Sequence, residues 1–309
     1  MKLTLKGLLV TALLATGLTA SIQDIQVYTA DNSKGKITPE TIEAAFKKTG
    51  FYISANRDMN GPFKKQFKET TFDVYNLFTI FSKKETLELV KKYPNIGLFA
   101  PMSMSIYTRK GEKKISVSSL SVEAMAKILK IPADDKVLVK VGKMVKEALK
   151  LALPGGSFET LSYTVQKATD PLVTSYKTEL DEDDLDSAKE EFQMEFEGTL
   201  ATSGFVMAGF NALNDDFKKQ NFNEYDFYDV YSICKLPVIY MVAKLHPEAG
   251  AFAPCSLIMY KKKDEKEMNV AYPSVYNWIS SMDIKDKSSL DVLLEAQKSM
   301  DTILAELTE

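Results

Sequence analysis

The side chains in this sequence best suited to covalent or redox chemistry are Cys234 and Cys255, its only two cysteines. Three chemistries are open to them. In an oxidising compartment, two cysteines and no third can pair as a disulfide, provided their Cα atoms come within roughly 4.4–6.8 Å. Buried and unpaired, they would pack as small hydrophobes. As a redox or metal pair they would supply only half of a tetrahedral zinc site. The sole histidine, His246, falls at the end of an expected helix and does not complete one. Met102 and Met104 could offer thioethers to copper(I), but a methionine pair two apart on a strand is the usual pattern of a core.

Acids give a second set of candidates. Asp73 and Asp229 each open an Asp-Val-Tyr tripeptide inside an expected strand, which makes Asp229 and its neighbour Tyr231 binding candidates beside the cysteines. An acid at a strand edge meeting solvent or a lysine explains them equally simply. The run of acids over 181–186 resembles a calcium loop, but its sixth and twelfth positions are Asp186 and Phe192, where glycine and glutamate are required. Acids at a helix N-terminus are the simpler account. The sequence contains no G-x-S-x-G elbow, no H-E-x-x-H and no G-x-x-x-x-G-K-[ST] loop. No catalytic residue, metal site or cofactor is therefore assigned.

The elements that would position these residues come in two sets. The alternation of apolar residues predicts strands over 22–28, 51–55, 72–81, 97–107 and 114–118. Helices are expected over 39–48, 63–68, 84–93, 121–129 and 136–153. The first opens on Thr38-Pro39-Glu40, which supplies a cap, a first-turn proline and an acid at the positive end of the helix. Pro154-Gly155-Gly156 reads as a linker. Beyond it, β-like runs over 158–166 and 172–177 precede a helix that starts within 179–198. Strands mixed with helices place each set in the α/β or α+β class, and the hairpin-like unit over 97–118 favours a mixed sheet covered by helices over a doubly wound parallel one.

The two sets are copies. Pro94, Gly97, Phe99, Ala100, Pro101, Ser103 and Tyr107 recur as Pro247, Gly250, Phe252, Ala253, Pro254, Ser256 and Tyr260, at an offset of 153. Phe63-Lys64-Lys65-Gln66 recurs as Phe217-Lys218-Lys219-Gln220 at 154, and Asp73-Val74-Tyr75 as Asp229-Val230-Tyr231 at 156. Such a period is too long for a solenoid and marks tandem domains. We place the first at 21–155 and the second at 156–309. Both keep the proline, glycine and Ala-Pro positions, so these read as architecture, whereas the thiols belong to the second copy alone.

Residues 1–20 read as an export signal, with Lys2 and Lys6, an apolar stretch, small residues and no charge after Lys6. The apolar stretch is shorter than the roughly 20 residues of a membrane span. The expected location is periplasmic or secreted. The net charge is −3, and −5 without Lys2 and Lys6, which gives no electrostatic footprint for nucleic acid.

The segment from Tyr231 to Tyr260 resembles the domain-of-unknown-function family numbered 302. Cys234 falls at that family's first cysteine position, Pro247-Glu248-Ala249-Gly250 at its P-E-x-G turn, and Pro254-Cys255 at its second cysteine. The sequence departs at Lys235-Leu236-Pro237, where the family has Asn-Pro directly. The first copy carries Phe78 and Met102 at the cysteine positions. The resemblance implies a compact α/β domain that tends to dimerise, and no established reaction. Two fused copies would then form an internal pseudo-dimer, with further self-association open. These readings favour an exported, non-enzymatic binding protein for a small ligand or a protein partner. The alternatives are thiol-based redox or metal handling at Cys234 and Cys255, and an enzyme with its site between the copies.

Overall fold

The computed structural model describes residues 23–181 and 183–309; the expected export signal lies outside the described residues. The first copy runs β1 (Ile25–Asp31), α1 (Pro39–Lys48), β2 (Tyr52–Asp58), α2 (Asn60–Phe67), β3 (Phe72–Phe81) and α3 (Lys83–Val90). A 3-10 turn, Pro94–Phe99, leads into β4 (Met102–Arg109), β5 (Lys114–Leu120), α4 (Val122–Leu129) and α5 (Lys136–Ala152). After the short β6 (Ser157–Phe158), the second copy repeats the order. It has β7 (Val173–Glu179), α6 (Leu185–Thr202), β8 (Val206–Ala212), α7 (Leu213–Lys219), β9 (Tyr225–Cys234) and α8 (Leu236–Leu245). A second 3-10 turn, Pro247–Phe252, precedes β10 (Cys255–Lys262), β11 (Glu267–Pro273), α9 (Tyr276–Ser281) and α10 (Lys287–Thr308).

Local sequence accounts for the helix ends. Thr38 accepts from Thr41 N at 3.3 Å while its own N–H donates to Thr41 Oγ1 at 2.9 Å, a closed cap ahead of Pro39. Asp135 accepts from the backbone of Val137 and Leu138 at 2.8 and 3.2 Å and starts α5. Leu138, Val145 and Leu149 then fall on one buried stripe of that helix.

The sheets are ordered β2-β3-β4-β5-β1-β6 and β7-β11-β10-β9-β8, so the second copy reproduces the first strand for strand. The fold is α/β with helix-covered sheets, as expected, but every pairing among the described residues is antiparallel. The reason lies in the excursion after β3. Residues expected to begin a strand at 97 instead form the proline-initiated 3-10 turn, which returns the chain to the end of the sheet it left, with Met102 opposite Ile80. In the second copy Cys255 likewise stands opposite Ile233. Of the run expected over 158–166, only Phe158 lies in a strand, as the end of β6. That strand covers the open edge of β1, where the Phe158 ring meets that of Tyr28 edge-on at 4.8 Å.

Strand pairing corrects one repeat assignment. Tyr75 faces Tyr107 and Tyr228 faces Tyr260, and the irregularity between Phe72 and Val74 recurs between Tyr225 and Phe227. The structural offset in β3 and β9 is therefore 153, and the two Asp-Val-Tyr tripeptides are not equivalent. Asp229 corresponds to Asn76, Tyr231 to Phe78, and Cys234 to Phe81 rather than Phe78.

The copies clasp each other through their 3-10 turns. The turn of the second lies across β4 and β5, and that of the first across β10. Ser103 donates to the carbonyl of Pro254 at 2.7 Å and its counterpart Ser256 to that of Pro101 at 3.2 Å. Ser105 donates to the carbonyl of Pro247 at 2.9 Å. On the flank, Phe67 of α2 stacks on Tyr240 of α8 at 4.0 Å, and Arg109 donates to the carbonyls of Lys244 and Leu245 at 3.0 and 3.1 Å. No helix among the described residues is long and apolar enough to cross a membrane.

Candidate functional site

Cys234 closes β9 and Cys255 opens the adjacent β10, so the excursion brings both thiols to one end of the sheet. They are nevertheless unbonded, which corrects the disulfide expectation. Register gives the reason. Cys255 stands opposite Ile233, so Cys234, one residue on, starts from the other face of the sheet. The Cys255 thiol donates to the carbonyl of Phe252 at 3.4 Å. Burial pushes the Cys234 thiol up to about 12, helped by the nearby Cys255. Burial does the same to Cys255, against a hydrogen bond with Trp278. At that value roughly one thiol in 10⁵ is ionised at pH 7, whereas the thiolate is the nucleophile and metal ligand. Both side chains border an apolar cavity of about 60 Å³, together with Phe205, Val238, Trp278 and Met300. A benzene-binding apolar cavity is about 150 Å³. The cysteine cavity is a packing gap.

Asp229 and Tyr231 border neither that cavity nor the cleft described below. Asp229 is buried, and accepts from Lys189 Nζ at 2.7 Å and Gln193 Nε2 at 3.0 Å; Tyr231 donates to Glu197 at 3.1 Å. Lys189, Gln193 and Glu197 lie on successive turns of α6, so the two β9 residues fasten this helix to the sheet. Burial, with Glu197 beside it, raises the Tyr231 hydroxyl well above the usual tyrosine range. Asp73, by contrast, is exposed and accepts from Gly111 N at 2.9 Å in the turn between β4 and β5. Met102 and Met104 are core, and no three His, Cys, Asp or Glu side chains converge on a metal-sized site among the described residues.

An apolar-walled cleft of about 470 Å³, bounded by both copies, lies where the edge strands β2 and β8 approach each other. Ser54 and Asn211 span the two edges through hydrogen bonds of 3.1–3.3 Å. The first copy contributes Met59, Pro62 and Leu77 to the walls, and the second Val206, Leu236 and Pro254. Cys234 reaches this cleft as well as the small cavity. Among the described residues two charged side chains line it, Arg57 and Asp58. Asp58 is occupied at the start of α2, where it accepts from Asn60 N at 3.1 Å and Gly61 N at 3.4 Å. The exposed Arg57 has no ion pair among the described residues.

Arg57 was missed in the sequence, although a signal existed. The chain holds only two arginines among 39 basic residues, and both lie between the copies. Arginine is the residue suited to planar, bidentate recognition. A second missed residue is Glu248. Buried under the clasp, it lies 3.3 Å from His246 Nδ1, while its counterpart Asn95 accepts from Tyr260 at 3.2 Å. Burial, with Glu248 nearby, holds the Tyr107 and Tyr163 hydroxyls protonated.

Sheet order, clasp and cleft define a class: two fused antiparallel α/β units that cover each other through reciprocal turns. The chain belongs to the family described as Domain of unknown function DUF302, which it matches over residues 30–152 and again over 184–307. Among solved structures it is similar to an uncharacterized conserved protein DUF302 from Bacillus stearothermophilus, with 13% identity over 45% of this chain and 100% of that one, at a TM-score of 0.38. The meganuclease I-SmaMI bound to uncleaveable DNA shares 12% identity over 88% of this chain and 92% of that one, at a TM-score of 0.11. Neither likeness carries an argument about this chain's activity. No curated protein matches it.

Proposed function

We propose that the chain is an exported, non-enzymatic binding protein whose small ligand occupies the cleft between the copies. Export rests on the signal-like residues 1–20. Binding rests on one observation, the cleft of about 470 Å³ with apolar walls from both copies. That volume exceeds several-fold what an aromatic ring requires, and ligand sites favour interfaces between domains. Thiol redox or metal handling has less support, because both thiols are held protonated.

The test is a fluorescence titration of the protein lacking residues 1–20 with the uncharged dye N-phenyl-1-naphthylamine. A Cβ at Gly209 would lie 3.7 Å from Ser232, an ordinary contact, so Gly209→Leu fits at its first atom and fills the cleft beyond it. Saturable binding, weakened at least about tenfold by Gly209→Leu, is expected. Equal binding by both proteins places the ligand elsewhere.

A further inference from the structure

We propose that the ligand of this cleft is a small apolar acid, whose single carboxylate is held by Arg57; the inference rests on the binding role of the cleft. Three observations carry it. Among the described residues Arg57 is the one cation lining the cleft, and it has no ion pair with any of them. Asp58, the one acid there among the described residues, already serves two backbone N–H groups at the start of α2. The walls on both sides are apolar, from Met59 and Leu77 to Val206 and Leu236.

A neutral apolar ligand filling this cleft gains nothing from the exposed guanidinium at its mouth, which keeps its water. An acid of the same shape replaces that water with charge-assisted hydrogen bonds, which Arg can make to both oxygens at once. The duplication adds direction. With the 154-residue offset of β2 and β8, the counterpart of Arg57 is Asn211, which is turned to Ser54 across the two edges. Among the described residues the second copy therefore offers the cleft no cation to match Arg57, which suits a molecule with a single charged terminus. Arg57 is exposed, so the carboxylate sits at the mouth and the apolar body points inward.

Two dyes of nearly equal shape test this. 1-Anilinonaphthalene-8-sulfonate is N-phenyl-1-naphthylamine with an added anionic group. The protein lacking residues 1–20 is titrated with each, as wild type, Arg57→Met and Arg57→Lys, with unfolding temperatures measured to check folding. The sulfonate should bind about tenfold more tightly than the neutral dye to wild type, one charge-assisted contact's worth. Arg57→Met should erase that preference while leaving the neutral dye unchanged, and Arg57→Lys should restore part of it. Octanoate should displace either dye from wild type at lower concentration than octanol, and should lose that advantage in Arg57→Met. Neutral dye bound with no preference for the sulfonate, or a preference that survives Arg57→Met, overturns the acid while leaving the cleft reading standing. Neutral dye binding that ignores Gly209→Leu overturns the cleft reading itself.

Discussion

The hydroxyl of Tyr228 accepts the backbone N–H of Gly97 at 3.1 Å and donates to the carbonyl of Pro94, so one buried tyrosine of the second copy satisfies two backbone groups in the turn of the first. Gly97 is glycine because of that ring: a Cβ there would lie 2.7 Å from Tyr228 Cε1. The ring is fixed between Phe217 and Tyr260 and has no room to withdraw. Gly97→Ala is expected to destabilise the protein by about 2–3 kcal/mol in urea unfolding, as overpacking does. Gly250→Ala, which meets the Cα of Ser105 at 3.0 Å, should behave alike.

Gly198 provides the contrast. It lies inside α6 with open space where a Cβ would go. Gly198→Ala should therefore stabilise by about 0.5–1 kcal/mol in the same measurement, through helix propensity and a less flexible unfolded chain.

Asp229 tests whether its network is structural. Asp229→Ala leaves the mostly buried Lys189 ammonium and Gln193 without their acceptor. A loss of about 2 kcal/mol is expected, reduced from the range for fully buried pairs because Lys189 keeps some exposure. Dye binding in the cleft should be unchanged. A loss of binding at preserved stability would return Asp229 to the list of functional residues.

The thiols predict a pH dependence. Their folded-state values, raised to about 12, mean that folding favours the protonated form. Their contribution is fully present below the unfolded value near 8.5 and is lost as pH rises from there toward 12. Stability should decline between about pH 8.5 and 10, and more steeply than in a Cys234→Ala/Cys255→Ala variant. Native-state alkylation should show no step between pH 7 and 9, and two thiols should react once the chain is unfolded. One thiol reacting rapidly in the native state would contradict thiols held protonated by their surroundings.

What was legible in the sequence is what both copies must share. Pro94, Gly97 and Pro101 recur as Pro247, Gly250 and Pro254 because each set builds a turn that rests on the other copy's sheet. The cap at Thr38 and the span of α5 were equally readable, being local. The Asp-Val-Tyr match misled because identity over three residues competed with register. Its offset differs from the structural one by three, an odd number, and an odd slip moves a residue to the opposite face of a strand. Asp73 is accordingly exposed and Asp229 buried. A site between the copies was one alternative, but the residues that wall the cleft were not legible. The cleft forms where two edge strands meet in space, and no periodicity in either strand encodes that meeting.

The reciprocal turns have a consequence for how the two halves could change. Joined by a linker, the halves meet at an effective concentration set by the chain itself, about millimolar for a short flexible connection, so their union does not depend on how much protein is present. A symmetric pair of separate chains would have to carry every substitution on both sides of its axis. Fusion removes that constraint: Asn95 faces Tyr260 while its twin position holds Glu248, and Arg57 stands where its twin is Asn211. One strand order thus supports two chemically different halves, and a site with a distinct head and tail can arise on a scaffold that began with neither.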